Sequence, residues 1–73
     1  MQDQKKKDNA ISAVVIEALP NTFFQVRRDD TGEDMLTYLS GKMRLHRIRV
    51  LIGDKVIVET DPYGGKGRIV KRV

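Results

Sequence analysis

The chain has 73 residues, one histidine and no cysteine. It can form a single small domain burying only ~60% of its unfolded surface, which leaves little interior for a catalytic cleft, and it has neither disulfides nor thiolate metal ligands. Its net charge of +4 is unevenly spread: residues 1–40 carry five basic against seven acidic side chains, a balance of −2, and residues 41–73 carry nine against three, a balance of +6. A basic half joined to a slightly acidic half points to a polyanion held on one side of the domain, through a field that speeds encounter and releases counterions.

Residues 1–9 are polar, include the run Lys5-Lys6-Lys7, and read as a flexible tail ahead of one domain at 10–73. No apolar stretch of signal-peptide or membrane-spanning length follows, so the expected setting is the cytoplasm, with no membrane contact. Ile11 to Leu19 is rich in β-branched residues and stops at Pro20-Asn21, which predicts a first strand ending in a turn. Phe24 and Val26 alternate with Gln25 and Arg27, the pattern of a second strand with one wet face. Asp29-Asp30-Thr31-Gly32 supplies turn chemistry, and Met35 to Leu39 reads as the returning third strand.

Ser40 can cap a short helix through its hydroxyl, with Lys42, Met43, Arg44 and Leu45 in its first turns. Gly53-Asp54 then turns into a fourth strand, Lys55 to Glu59, with Val56 and Val58 on one face. Asp61-Pro62-Tyr63-Gly64-Gly65 breaks the chain again, and Gly67 to Val73 is the last strand. Val15, Phe24, Val26, Leu39, Val56, Val58 and Ile69 are expected to meet in one interior.

Five short antiparallel strands with a helical plug after the third describe an all-β, closed five-stranded barrel of the oligonucleotide-binding kind (OB-fold), which closes its own edges and binds nucleic acid across strands two and three. An SH3-like barrel is the structural competitor. It is disfavoured because its helical turn usually falls before the last strand, where this chain has Pro62-Tyr63-Gly64-Gly65.

From Gly41 to Gly53 there is no acidic residue, while Lys42, Arg44, Arg47 and Arg49 place four positive charges in eight positions. Lys42 and Arg44 are expected to contact RNA beside a helix start that exposes free N–H groups. Arg49 is expected to do the same rather than pair with Glu59 or Asp61, because cations outnumber anions around it. Arg68 and Arg72 are four apart on a strand, which would set them on one face to track one backbone. Lys66 in a Gly-rich loop is a further phosphate candidate. Asn21, preorganised by Pro20, offers both a donor and an acceptor. Only four aromatic rings are present, and Phe23 and Tyr38 are the two expected on the outer surface, where either can stack on a base. With few stacking platforms and many cations, recognition should rest on shape and phosphate, which suits a folded RNA groove better than a free strand.

No catalytic residue, metal site or cofactor is expected. His46 is the sole histidine and lies among cations, Ser40 has no local histidine partner, and Gly64-Gly65-Lys66-Gly67 lacks the spacing and context of a phosphate loop.

Leu19-Pro20-Asn21-Thr22-x-Phe24-x-Val26, Ser40-Gly41-Lys42-Met43-Arg44, Ile48-Arg49, Gly53-Asp54-Lys55-Val56-x-Val58-Glu59, Pro62-Tyr63 and Gly67-Arg68-Ile69, taken in order, resemble the bacterial translation initiation factor 1 family. The resemblance runs from about residue 9 to the C terminus. It implies an S1-like oligonucleotide-binding barrel that sits in the A site of the small (30S) ribosomal subunit. The implied partners are 16S rRNA, a small-subunit ribosomal protein near that site and the other initiation factors, with a monomer off the ribosome. The alternative is a general RNA- or single-stranded-DNA-binding barrel, such as an RNA chaperone. Departures from the family pattern are Ala13 in place of a common Gly, Leu45-His46-Arg47 in place of a Lys-Asn-Tyr segment, a β-hairpin around Asp30 to Glu33 one residue longer than usual, and a Tyr63-to-Gly67 loop one residue shorter.

Overall fold

The computed structural model describes residues 10–60 and 66–73. The expected tail at 1–9 and the break at 61–65 lie outside the described residues. The chain forms β1 (Ala10–Ala18), a 3₁₀ turn (Pro20–Thr22), β2 (Phe23–Arg28), β3 (Asp34–Leu39), the one-turn helix α1 (Gly41–Leu45), β4 (Lys55–Glu59) and β5 (Gly67–Arg72). The strands close into a barrel in the order β1-β2-β3-β5-β4, with β4 returning to pair with β1. This is the oligonucleotide-binding arrangement. One expectation is corrected: β3 and β5 run parallel, and the other four pairings are antiparallel. Parallel neighbours cannot be joined by a tight turn, so α1, the basic segment and β4 together carry the chain from the end of β3 back to the start of β5.

Alternation builds the interior. Ala13, Val15, Val26, Val56, Val58 and Ile69 are buried, with Phe24, Met35 and Leu39 half-buried against them. Phe24 and Leu39, expected fully inside, thus line the rim of the core. Thr37 occupies an inward position that no apolar pattern marks. It is completely buried because its hydroxyl donates to the Phe24 carbonyl at 2.8 Å, satisfying a group that would otherwise cost free energy inside. Facing it, Gly67 admits no side chain: a Cβ there would lie 2.6 Å from Val58 Cγ1 and 2.9 Å from Met35 Cε. The missing side chain lets β5 approach β3 closely enough to complete the barrel.

Two residues of the basic segment complete the core. Met43 of α1 is 1% exposed and plugs the barrel, and Val50 is buried beside it. Burying Met43 contributes roughly 1.5–3 kcal/mol, which holds a helix far too short to stand alone. Ser40 caps α1 as its sequence predicts, its hydroxyl oxygen accepting from the Met43 N–H at 3.2 Å, while its own N–H donates to the Ile69 carbonyl of β5 at 2.9 Å. At the other end, the Ile48 N–H donates to the Met43 carbonyl and the Arg47 N–H to the Arg44 carbonyl, closing a Schellman motif with Ile48 packed on the core. That motif forces Arg47 to φ +54, a left-handed position usually taken by Gly or Asn.

Candidate nucleic-acid interface

Cross-strand register gathers one group of the predicted residues. Phe23 lies opposite Tyr38, and Tyr38 opposite Arg68, so three neighbouring strands present ring, ring and guanidinium in a row. The Lys66 ammonium sits 5.5 Å from the Phe23 ring centroid, a cation–π distance. Tyr38, Lys66 and Arg68, with Glu59 and Thr60, border a surface cleft of about 250 Å³. Tyr38 is exposed and Phe23 half-buried, so the tyrosine offers the more accessible face for a base.

A second group follows the chain from α1. Lys42, Arg44, Arg47 and Arg49 are all exposed, and none takes part in an ion pair among the described residues. The capped helix below them is clamped by Met43, Ile48 and Val50, so these cations ride on a fixed ridge. Fixing the backbone beforehand removes part of the ordering cost that a floating lysine tail meets on binding. Lys42 also borders a groove of about 490 Å³ between α1 and β5, floored by Met43, Ile48 and Val70 and edged by Lys71 and Arg72.

The two arginines of β5 do not share a face. Ile57 pairs with Lys71 but Val58 pairs with Ile69, which leaves Val70 as an extra, bulged residue. Residues directly opposite project to the same side of a sheet. Arg68 therefore lies outward beside Glu59, whereas Arg72 lies opposite the buried Val56. The four-residue spacing misleads because a bulge shifts the alternation by one. Both guanidiniums also have carboxylate partners: Arg68 bonds Glu59 at 2.5 Å, and Arg72 approaches Asp54 at 3.7 Å. The hydrogen bond to Glu59, reinforced by its charge, raises the Arg68 pKa above its usual value. Arg49 has no ion-pair partner among the described residues, and Asp61, the other carboxylate weighed for it, lies outside them.

Asn21 lies at the tip of the β1–β2 turn, exposed and left-handed at φ +68, followed by Thr22 at φ +64. A β-branched residue rarely adopts that conformation. The Thr22 hydroxyl donates back to the Asn21 carbonyl, and Leu19 N–H to the Phe23 carbonyl closes the loop. Asn21 is exposed in this turn and lines none of the clefts that gather the cations.

Three residues that border the groups escape a one-dimensional reading. Arg47 counts among the charges but nothing in the sequence singles it out, and its left-handed backbone arises only once the Schellman motif forms. Lys71 reaches the groove through the bulge. Glu59, in sequence an ordinary end-of-strand carboxylate, sits against Arg68 in the middle of the cationic surface. Elsewhere, Asp54 serves the turn: its carboxylate accepts from the Leu51 N–H at 2.8 Å, and Gly53 beside it takes φ +96. Among the described residues no helix is long and apolar enough to cross a membrane, and no three His, Cys, Asp or Glu residues cluster to hold a metal.

The family model described as Translation initiation factor 1A / IF-1 matches residues 1–73. Among solved structures, translation initiation factor 1 from the Wolbachia endosymbiont strain TRS of Brugia malayi is 33% identical, with a TM-score of 0.73, and the match covers 100% of this chain and 88% of that one. YjeQ from Thermotoga maritima is 28% identical, with a TM-score of 0.74 over 88% of this chain, but this chain spans only 22% of that protein. The same barrel therefore occurs both as nearly a whole protein and as one part of a larger one.

Proposed function

This chain belongs to the Translation initiation factor 1A / IF-1 family and is a translation initiation factor, and from that premise we propose that it acts in the cytoplasm by occupying the A site of the small ribosomal subunit. It binds there through 16S rRNA and a neighbouring ribosomal protein, and assists the other initiation factors in assembling the initiation complex. The observation that carries this reading is the ridge of Lys42, Arg44, Arg47 and Arg49, acid-free in sequence, unpaired among the described residues and anchored to the barrel by Met43 and Val50. Binding here consists of positioning. Phosphates neutralise the ridge and release counterions, and the rigid barrel blocks whatever else would enter the same space. The row of Phe23, Tyr38 and Arg68 adds a stacking face for one or two bases at most, which fits a folded RNA better than a long single strand.

Cosedimentation tests the reading. The protein should pellet with purified 30S subunits and not with 50S subunits at near-physiological salt. Equal recovery with both would favour a general RNA-binding barrel or RNA chaperone instead.

A further inference from the structure

The Arg68–Glu59 pair lies between two clefts. Both residues border the cleft of about 250 Å³ that contains Tyr38 and Lys66, and both border a second of about 390 Å³ that contains Ser40, Gly41, Lys42 and Val70. Among the described residues Glu59 is the only carboxylate lining either cleft, and it shares them with three cations: Lys42 of α1, Lys66 just ahead of β5, and Arg68 within β5. Its side chain is 43% exposed and that of Arg68 49%, so an incoming anion can reach both. An aspartate or glutamate carboxylate presents two oxygens to a guanidinium in the same fork geometry as a phosphate.

We propose that Glu59 is a built-in competitor for phosphate, holding the place on Arg68 that an RNA phosphate takes in the complex and thereby setting how weakly the barrel binds RNA that is not its target. Any polyanion that uses Arg68 must first separate this pair, whereas the Lys42–Arg49 ridge is open to it without such a step. The ridge is the site of first attachment, and Arg68 is engaged only by an RNA whose backbone also reaches the Tyr38 cleft. This rests on the RNA-binding reading above and adds a selectivity residue to it.

The experiment compares wild type, Glu59→Gln, Glu33→Gln and the double variant Glu59→Gln/Arg68→Gln, with a labelled oligouridylate and with 30S subunits as probes, between ~50 and ~200 mM salt. Glu33 is exposed in the β2–β3 turn and borders neither cleft, so its substitution makes the same charge change away from the site. If Glu59→Gln frees one further cation for phosphate, affinity for oligouridylate should rise about tenfold at ~50 mM salt and about threefold at ~200 mM, with a steeper salt dependence. Affinity for 30S subunits should rise less, so discrimination between the two probes falls. The gain should vanish in the double variant, while Glu33→Gln stays within about twofold of wild type. Thermal midpoints of the variants confirm that each is folded. Equal gains from Glu59→Gln and Glu33→Gln, or a gain that survives loss of Arg68, would overturn the proposal and leave the RNA-binding reading standing. Absence of binding by all four proteins to both probes would overturn the two together.

Discussion

The β2–β3 hairpin and the α1 segment carry charge in opposite ways. On the hairpin, Arg27 bonds Asp34 directly across the strands, Arg28 forks onto Asp30 through two nitrogens, and Asp29 takes Lys55 from β4. Every described cation of that region is matched. Along α1 and the segment after it, Lys42, Arg44, Arg47 and Arg49 have no such partner among the described residues. Both regions look strongly charged in composition, yet only one has charge to offer. A surface is available to a polyanion to the extent that its cations are unpaired, because a phosphate that must displace a carboxylate gains little net electrostatic energy.

The contrast should be plainest in RNA affinity. Replacing Lys42, Arg44 and Arg49 together by Ala should weaken 30S binding on the order of 10²- to 10³-fold at ~50 mM salt and flatten the slope of log affinity against log salt by roughly 2 to 3 units. Replacing Arg27 and Arg28 by Ala should change it by no more than about twofold. Filter binding across a salt series measures both. Comparable losses from the two sets would mean that total charge, not pairing, governs the site.

A smaller effect separates stability from function within the ridge itself. Arg47 sits at φ +54 at the end of α1, where an L side chain costs roughly 1–2 kcal/mol and glycine costs none. Arg47→Gly should therefore stabilise the fold by a net ~0.5–1 kcal/mol after the greater freedom of glycine in the unfolded chain is subtracted, raising the thermal midpoint by a few degrees. It should at the same time lower 30S affinity by about tenfold at ~50 mM salt, through loss of one cation. A variant that is more stable and binds as tightly as wild type would show that Arg47 is merely tolerated there.

What the sequence disclosed divides along the same physical line. Local chemistry was legible: Pro20, Gly32 and Gly53 mark turns, Ser40 marks the cap, and two-residue alternation marks Val56, Val58 and their partners as interior. Non-local chemistry was not. Lys55 and Asp29 lie 26 positions apart and meet only because β4 folds beside β1. The bulge at Val70 leaves no compositional trace, so the shared face assigned to Arg68 and Arg72 dissolves once β4 and β5 are paired. Met43 and Val50 are apolar residues scattered among cations, and no short periodicity exposes them as core. The ridge was legible because its defining property, the lack of any acid between Gly41 and Gly53, is itself local; Glu59 was not, because its competitor role depends on a partner nine residues away across two strands.

The smallest expected effect concerns acid. The hydrogen bonds from Arg28, more than its charge, hold the Asp30 carboxyl below its usual pKa of 3.8. A carboxyl with a depressed folded-state pKa stabilises the native state above its unfolded pKa, and that contribution is lost as pH falls through the lower, folded value. Acidification below about pH 4 should thus remove the Arg28–Asp30 contribution, while α1 and the ridge, having no carboxylate to protonate, lose nothing by this route. Asp30 is fully exposed and the pair is screened by solvent, so the shift in thermal midpoint is small and is best read as a difference. Wild type should be slightly more stable than Asp30→Asn at pH 7, and the two melting curves should converge as the pH falls below about 4. Arg44→Ala should run parallel to wild type over the same range. If the Asp30→Asn curve keeps its offset at the lowest pH, the carboxylate is not what holds this end of the hairpin, and the pairing that distinguishes it from the ridge has another cause.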